Sequence, residues 1–329
     1  MGEWGQKPVD KGEYKMFWMW LGITVIILIL AVLIGAYVVY RMAFARNDKV
    51  IGTPLDFPDT EFYTPYAGEM TKNIKIFLDI PYEDVYITSY DGLKLHGKFY
   101  EGQKDKPVII FFHGYRANAT RDGSGIHTLG TEKGLNILVI TQRAHNESEG
   151  KTITFGIKES YDCLSWIDYV KARFGEDKKV ILWGISMGAA TVMTAAGRDL
   201  PENVLGIGAD CGYSSAKDIL KSVIKGMKLP VEPAYLLMKL GARIYGGFDV
   251  EETSPLEAMK KAKVPVLFIH GVADDFVPCA MTHQNYEACA SDKSLVLVEN
   301  AGHGMSYYVD MKKVNEGVFA FLDKIMKDV

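Results

Sequence analysis

The chain has few cysteines and no excess of basic charge. Only Cys163, Cys211, Cys279 and Cys289 occur among 329 residues. They form no CxxC pair and no Cys/His cluster, which argues against the common zinc sites. Cys279 and Cys289 are expected to bracket one helix. Ten helical residues span about 15 Å, too far for a disulfide. The four are read as free thiols, which suits a reducing compartment or an exported protein that does without disulfides. Lysine and arginine total 37 against 41 acidic residues, a net charge of -4. There is no basic stripe, so nucleic acid is not an expected partner. Internal repeats and low-complexity tracts are lacking as well. What remains is ordinary globular composition, 48% hydrophobic and 24% charged. The length suits one large α/β domain with additional segments.

One stretch lacks charge altogether. Residues 16–40 are mostly Leu, Ile, Val, Met or aromatic, closed by Lys15 and Arg41. As a helix they span about 37 Å, enough to cross a hydrocarbon layer of about 30 Å with some tilt. Trp18 and Trp20 sit near one end and Tyr37 and Tyr40 near the other, as in aromatic belts at two interfaces. A cleaved signal peptide would have a shorter apolar region and a small-residue cleavage site, and neither fits well. The expectation is a tail over 1–15, then a single transmembrane anchor over 16–40. Lys7, Lys11 and Lys15 on one side balance Arg41, Arg46 and Lys49 on the other, so flanking charge does not set orientation. A single amino-terminal anchor usually leaves its short tail in the cytoplasm. The remaining domain is therefore expected to be extracytoplasmic, at the cell membrane.

Residues 41–80 contain Pro54, Pro58 and Pro65 and read as a linker with one short helix. Beyond them the pattern turns β-rich. Residues 84–88 and 94–100, joined through Asp91-Gly92, suggest a hairpin. Continuous apolar runs follow at 108–112, 137–141, 180–183, 205–209, 264–269 and 295–298. Such runs suit strands buried on both faces of a parallel sheet. Between them lie helical patterns. Cys163, Leu164, Ile167, Val170 and Phe174 give one apolar face over 160–174, and 189–198 and 307–327 are likewise helical. The fold class is α/β, with a mostly parallel central sheet and helices on both faces over 81–329. An insertion at about 214–258 carries Ile219, Leu220, Val223, Ile224 and Met227 at helical spacing, then a second apolar segment after Pro233. It reads as a helical cap over the carboxyl edge of the sheet, where ligands bind in open α/β folds. The alternative is that these helices only close the core.

Gly184-Ile185-Ser186-Met187-Gly188 matches G-x-S-x-G. By chance alone such a match is expected with probability on the order of 0.1 to 0.2 in a chain this rich in glycine. Context sharpens it, because a buried strand precedes the motif and a small-residue helix follows. That is the setting of a nucleophile elbow, whose tight turn leaves no room for side chains beside the serine. A serine hydroxyl needs a base, and the base needs a carboxylate to orient it. In elbow hydrolases the chain order is serine, acid, histidine. Ser186, Asp274 and His303 follow that order, the last two in turns after predicted strands. They are read as nucleophile, orienting acid and general base. Asp275 is the competing acid. His96, His127 and His283 have no motif context, His145 precedes Ser186, and His113 and His270 close buried strands as structural braces. Backbone N–H groups of Met187 and Tyr115 are the expected oxyanion hole. Alternatively His113-Gly114 is only a tight turn.

These residues together resemble the α/β-hydrolase superfamily. The likeness is to its serine aminopeptidase-like and monoacylglycerol-lipase-like branch, which includes bacterial membrane-anchored members. It rests on Ser89 to Leu93, His113-Gly114-Tyr115, Thr154-Phe155-Gly156, the elbow, His270 to Pro278 and Ala301 to Gly304. It covers the chain from about residue 84 onward. Members commonly carry a D-x-R-G-H-G-x-S-x-G-like loop. Here it reads Thr141-Gln142-Arg143-Ala144-His145-Asn146-Glu147-Ser148-Glu149-Gly150, with both inner glycines and the aspartate replaced. The loop lies outside the triad, so the departure bears on how it supports the oxyanion side. The resemblance implies acyl transfer to water with no metal or cofactor, and a small-molecule ester as substrate. Action on short peptides is the enzymatic alternative, and an idle membrane-tethered binding module the non-enzymatic one. Met227, Leu236, Leu237 and Met238 in the insertion are expected to line an acyl pocket, though core packing explains them equally well. The fold hosts many substrates, so the motifs do not select one.

Overall fold

The computed structural model of the chain describes residues 11–56 and 61–327. Most of the expected tail, with Lys7, and Pro58 of the expected linker lie outside the described residues. α1 (Lys11–Ala43) is one continuous helix of 33 residues, about 50 Å long. Its side chains are exposed through most of its length, Leu28 at 60%. The character changes at its carboxyl end, where Ala36, Tyr40 and then Phe44 are buried.

The segment after α1 is not a free spacer. The short α2 (Asp48–Ile51), a 3-10 turn at Thr64–Tyr66 and α3 (Ala67–Leu78) pack onto the domain. Ile51, Met70, Ile74 and Phe77 are buried there. Met70, Ile74 and Phe77 recur at spacings of four and three, so α3 has one apolar face to bury.

The sheet has eight strands in the order β1-β2-β4-β3-β5-β6-β7-β8. β1 (Glu83–Thr88) and β2 (Lys94–Tyr100) form the expected hairpin and pair antiparallel at one edge. β3 (Val108–Phe112), α4 (Ala119–Glu132), β4 (Asn136–Ile140), α5 (Glu159–Phe174), β5 (Val180–Ile185), α6 (Met187–Ala196) and β6 (Val204–Asp210) follow in alternation. The insertion supplies α7 (Ala216–Gly226) and α8 (Val231–Gly241). Then come α9 (Pro255–Met259), β7 (Val266–Gly271), α10 (Cys279–Ala288), β8 (Lys293–Val298), α11 (Ser306–Val309) and α12 (Met311–Ile325). β3 to β8 pair in parallel.

Alternate residues of the central strands feed two cores. Ile110, Phe112, Leu138 and Leu182 meet Trp166 and Ile167 of α5 and Val192 of α6. Ile109, Phe111, Val139 and Ile181 meet Leu129 of α4 and Val318 of α12 on the other face. At about 1.5–3 kcal/mol per buried aliphatic or aromatic side chain, these two layers dominate stability.

One helix was not foreseen and one expectation changes. α4 carries Gly123, Gly125 and Gly130 and has no strong helical signal in sequence. Its glycines serve packing, since a Cβ on Gly130 would lie 2.5 Å from Ile137 Cδ1. Asn118 starts the helix by accepting from the N–H groups of Thr120 and Arg121. The single helix expected over 307–327 is broken at Asp310, which leaves helical geometry and caps α12 by accepting from Lys313 N–H at 3.0 Å.

The insertion is helical, but it docks elsewhere than expected. α8 packs against the carboxyl end of α1. Gly241 makes this possible, because a Cβ there would lie 2.5 Å from the Ala36 carbonyl oxygen. In the π-helical segment Ala242–Gly246, the Tyr245 hydroxyl donates to the Leu33 carbonyl at 3.1 Å. Phe44 sits against the rings of Phe155 and Phe248, and Leu220 of α7 and Tyr235 of α8 complete this third core.

Candidate active site

Ser186 stands in the turn between β5 and α6 at φ 55° and ψ -116°. A non-glycine residue held there is strained by about 1–3 kcal/mol, and such strain is usual at functional turns. The flanking glycines allow it. A Cβ on Gly184 would meet the Gly188 carbonyl carbon at 2.2 Å, and one on Gly188 would meet the Phe112 carbonyl oxygen at 1.9 Å. The hydroxyl is thereby pushed beyond the sheet edge.

The Ser186 hydroxyl donates to His303 Nε2 at 2.9 Å, and His303 Nδ1–H donates to Asp274 Oδ2 at 2.7 Å. The other oxygen of Asp274 accepts from the N–H groups of Phe276 at 3.0 Å and Val277 at 2.8 Å. His270 Nε2 lies 3.2 Å from Asp274 Oδ2, and His270 also donates to the Val277 carbonyl. Burial opposes ionisation of Asp274, but the hydrogen bonds from His270 and His303 outweigh it and bring the carboxyl down to about 2. Asp275 is exposed and takes no part. The two loops meet because Gly271 has no side chain, and a Cβ there would lie 2.2 Å from the Ala301 carbonyl oxygen.

A second carboxylate was not foreseen. Asp210 ends β6 and faces the same cavity, and its Oδ1 is sealed from solvent without a hydrogen-bond partner. Burial pushes its pKa up to about 6, against the pull of His270 and His303. The folded value exceeds the ordinary 3.8, so the folded state binds the extra proton between pH 4 and 6. Ionisation therefore costs stability as pH rises through that window, by up to about 3 kcal/mol. Asp210→Asn is expected to stabilise the protein at pH 8 by about 1–3 kcal/mol more than at pH 4.5. Thermal melts of both proteins at the two pH values check this, and a pH-independent difference would refute it. The signal available in sequence was an acid at the carboxyl end of an apolar run, the edge where sites form.

The loop after β3 lies against the serine, since a Cβ on Gly114 would be 3.6 Å from Ser186 Cβ. Among the described residues, neither Met187 N–H nor Tyr115 N–H donates to a backbone carbonyl. The loop is braced from behind. His113 accepts from Gln142 N–H and donates to the Gly114 carbonyl. His145 Nε2 accepts from Arg116 N–H at 3.0 Å. Burial lowers both imidazoles, to about 4 for His113 and about 3 for His145, so both serve as neutral braces. The departing loop at 141–150 thus supports Tyr115 through Gln142 and His145. Tyr115 is also tied to the end of α1, its hydroxyl donating to the Ala43 carbonyl at 2.9 Å. Sequence order alone gave no hint of that link.

Ser186, His303 and Asp210 open onto a cavity of about 580 Å³. Its apolar walls include Met70, Ile126, Leu129, Trp183, Ile269 and Tyr307. Met227, Leu236, Leu237 and Met238, expected here, do not line it. Met227 and Leu236 are exposed at 54% and 63%, and Met238 packs on the third core. The reason is that α8 docks on α1, while residues after α1 take the place over the serine. Val50, Ile51, Asp56 and Tyr63 line the cavity on that side. The Tyr63 hydroxyl donates to the His303 carbonyl at 3.1 Å, and the Phe62 ring fills the space that a side chain on Gly302 would need. The aromatic run Phe62, Tyr63, Tyr66 in a supposed linker was the available signal.

Cys211, Asp274 and His303 bring three potential metal ligands within 4.8 Å of one another. They fit a metal poorly. Burial holds the Cys211 thiol far above its ordinary range, and Asp274 and His303 are committed to each other.

Comparison with known proteins agrees with the fold. Uncharacterized protein YqkD of Bacillus subtilis is 30% identical over 73% of this chain and 78% of its own length. The uncharacterized membrane protein YNL320W of Saccharomyces cerevisiae is 21% identical over 66% of this chain and 71% of its own. Among solved structures, the Pyrococcus furiosus esterase Pf2001 superposes with TM-score 0.60 at 25% identity, covering 77% of this chain and 94% of the esterase. The prolyl oligopeptidase family, Peptidase_S9, matches residues 152–329, more than half of the chain. With an α/β-hydrolase fold and this family match, the chain belongs to the prolyl oligopeptidase family.

Proposed function

We propose that this hydrolase cleaves carboxylic esters of short or medium acyl chain through Ser186, while α1 holds it in a membrane. The observation that carries the reading is the hydrogen-bonded chain Ser186–His303–Asp274 opening on a largely apolar cavity. Ser186 Oγ attacks the ester carbonyl carbon as its proton passes to His303 Nε2. The carbonyl electron pair moves onto oxygen, where the N–H groups of Met187 and Tyr115 receive it. Collapse breaks the bond to the leaving alkoxide, which takes the proton from His303. Water then attacks the acyl-enzyme with His303 again as base, releasing the acid and restoring the serine. Asp274 stays ionised throughout and holds His303 in the required tautomer. Likeness to an esterase supports ester cleavage, whereas the family match favours the second reading, action on short peptides. The length and exposure of α1 support the anchor, and the domain is read as lying outside the cytoplasm.

A fluorophosphonate probe applied to membranes containing the full chain tests this. The expected result is a labelled band that stays in the carbonate-washed pellet. A membrane-impermeant probe is expected to reach it in intact cells. Folded protein that takes no label would leave a binding module as the better account. Faster cleavage of aminoacyl anilides than of nitrophenyl esters would favour the peptidase.

A further inference from the structure

The insertion presents an apolar surface that the fold leaves uncovered. Met227, Leu229, Leu236 and Ile244 are exposed at 54%, 48%, 63% and 50%. Pro233, Leu236, Leu240 and Ile244 recur at three- and four-residue spacing, so they share one side of α8 and its extension. Exposed apolar side chains gathered on one side of a helix mark a contact site.

We propose that this face is a second membrane contact, dipping into the boundary between headgroups and acyl chains beside α1. The inference rests on the reading of α1 as a span. Its continuity with α1 selects a bilayer as the occupant. α8 docks only on the last part of α1, where Tyr245 meets Leu33 and Gly241 meets Ala36. The uncharged stretch before the dock, from Met16 to Val32, covers about 26 Å as a helix, near the hydrocarbon thickness of about 30 Å. The dock therefore begins where the hydrocarbon ends. Leu237 faces α1, its methyl carbons 3.9 Å from a Cβ built on Gly35. Leu236, one residue earlier and about 100° around the helix, faces outward at the same depth. Tyr37 and Tyr245 pack edge to face at 5.2 Å, as aromatic side chains do at an interface.

The polar residues around the patch suit a lipid surface. Lys225 and Lys228 are exposed on either side of Met227, in the loop Lys225-Gly226-Met227-Lys228-Leu229-Pro230. Their stems can follow the apolar tip inward while the ammonium groups reach anionic headgroups. Lys221 pairs with Glu232, and Lys239 with Glu251, at the margin of the same surface. A hydrophobic tip ringed by lysines is the pattern of interfacial membrane binding.

The test uses the full chain in vesicles of phosphatidylcholine and phosphatidylglycerol. Single cysteines carry bimane in a Cys279→Ser background, because the other three native thiols are buried. In vesicles of brominated lipid, emission from Leu229→Cys and Leu236→Cys is expected to fall about two-fold, as for side chains about 5–10 Å into the boundary. Ile26→Cys, within the span, is expected to be quenched as well. Glu176→Cys is expected to be unchanged, since it precedes β5 at the opposite edge of the sheet. Quenching at Ile26 without quenching at Leu229 and Leu236 would overturn the second contact and leave the span standing. A blue shift there without quenching would mean that a protein surface, such as a second copy, covers the face. No quenching at Ile26 would overturn the span and this inference together.

Discussion

Ser186→Ala is expected to lower ester turnover on the order of 10⁶-fold, and Asp274→Asn on the order of 10⁴-fold, with the fold retained. The two losses have different causes. Without Oγ there is no nucleophile and no acyl-enzyme, so only binding and the oxyanion donors remain. In the Asp274→Asn protein, the new amide can present an N–H to His303 Nδ1 instead of accepting one. The imidazole then favours the tautomer with the proton on Nε2, which cannot accept from Ser186. In the native protein Asp274 is held at about 2, below its ordinary 3.8. Its contribution to stability is therefore full above about pH 4 and lost as pH falls through 2. It stays charged wherever the enzyme is active, so its titration does not shape the acid limb of activity. Steady-state kcat on a nitrophenyl ester, measured with melting temperatures of all three proteins, checks both substitutions. A Ser186→Ala protein within tenfold of wild type would place the nucleophile elsewhere. An Asp274→Asn protein with unchanged kcat would remove the acid from the mechanism.

Gly188→Ala is expected to cost about 4 kcal/mol or more, or to prevent folding. The added Cβ would lie 1.9 Å from the Phe112 carbonyl oxygen and 2.4 Å from its carbon. Both belong to the backbone of β3, which is hydrogen-bonded to β4 and β5 and has no slack. Relief requires moving α6 away from the sheet, which also moves Ser186. A protein that still folds is expected to melt roughly 10 °C lower. Gly226→Ala is the control, because nothing lies within 4 Å of that position. Differential scanning calorimetry of the two variants decides it, and a loss under about 2 °C for Gly188→Ala would mean the elbow tolerates a side chain.

Much of the catalytic edge was legible in sequence because its signals are local. Continuous apolar runs such as Val108–Phe112 require cover on both faces, so a parallel sheet followed from composition and spacing. The elbow is readable because its glycines are imposed by a turn five residues long. The loops carrying Asp274 and His303 each follow a strand, and strand order fixes the edge on which they emerge. The helix α1 was legible for the same reason, as an uncharged stretch of membrane-crossing length. The contacts that shape the pocket are of another kind. Tyr63 reaches the His303 carbonyl from 240 positions away, and Tyr115 reaches the end of α1 from 72 away. No local periodicity encodes such meetings. α4 was missed because its glycines answer to Ile137 and Val139 across the sheet, against helix propensity. The insertion was placed over the pocket because helical spacing shows that a face is apolar but not what it meets. The close approach of Gly241 to Ala36 decided that instead, and it gave the wall of the site to the residues that follow α1. Sequence alone thus determined most of the elements and the edge on which Ser186, Asp274 and His303 meet. Which segments close the cavity, and which apolar face is left outward, depended on tertiary packing, because complementary shape between distant segments exists only once both are folded.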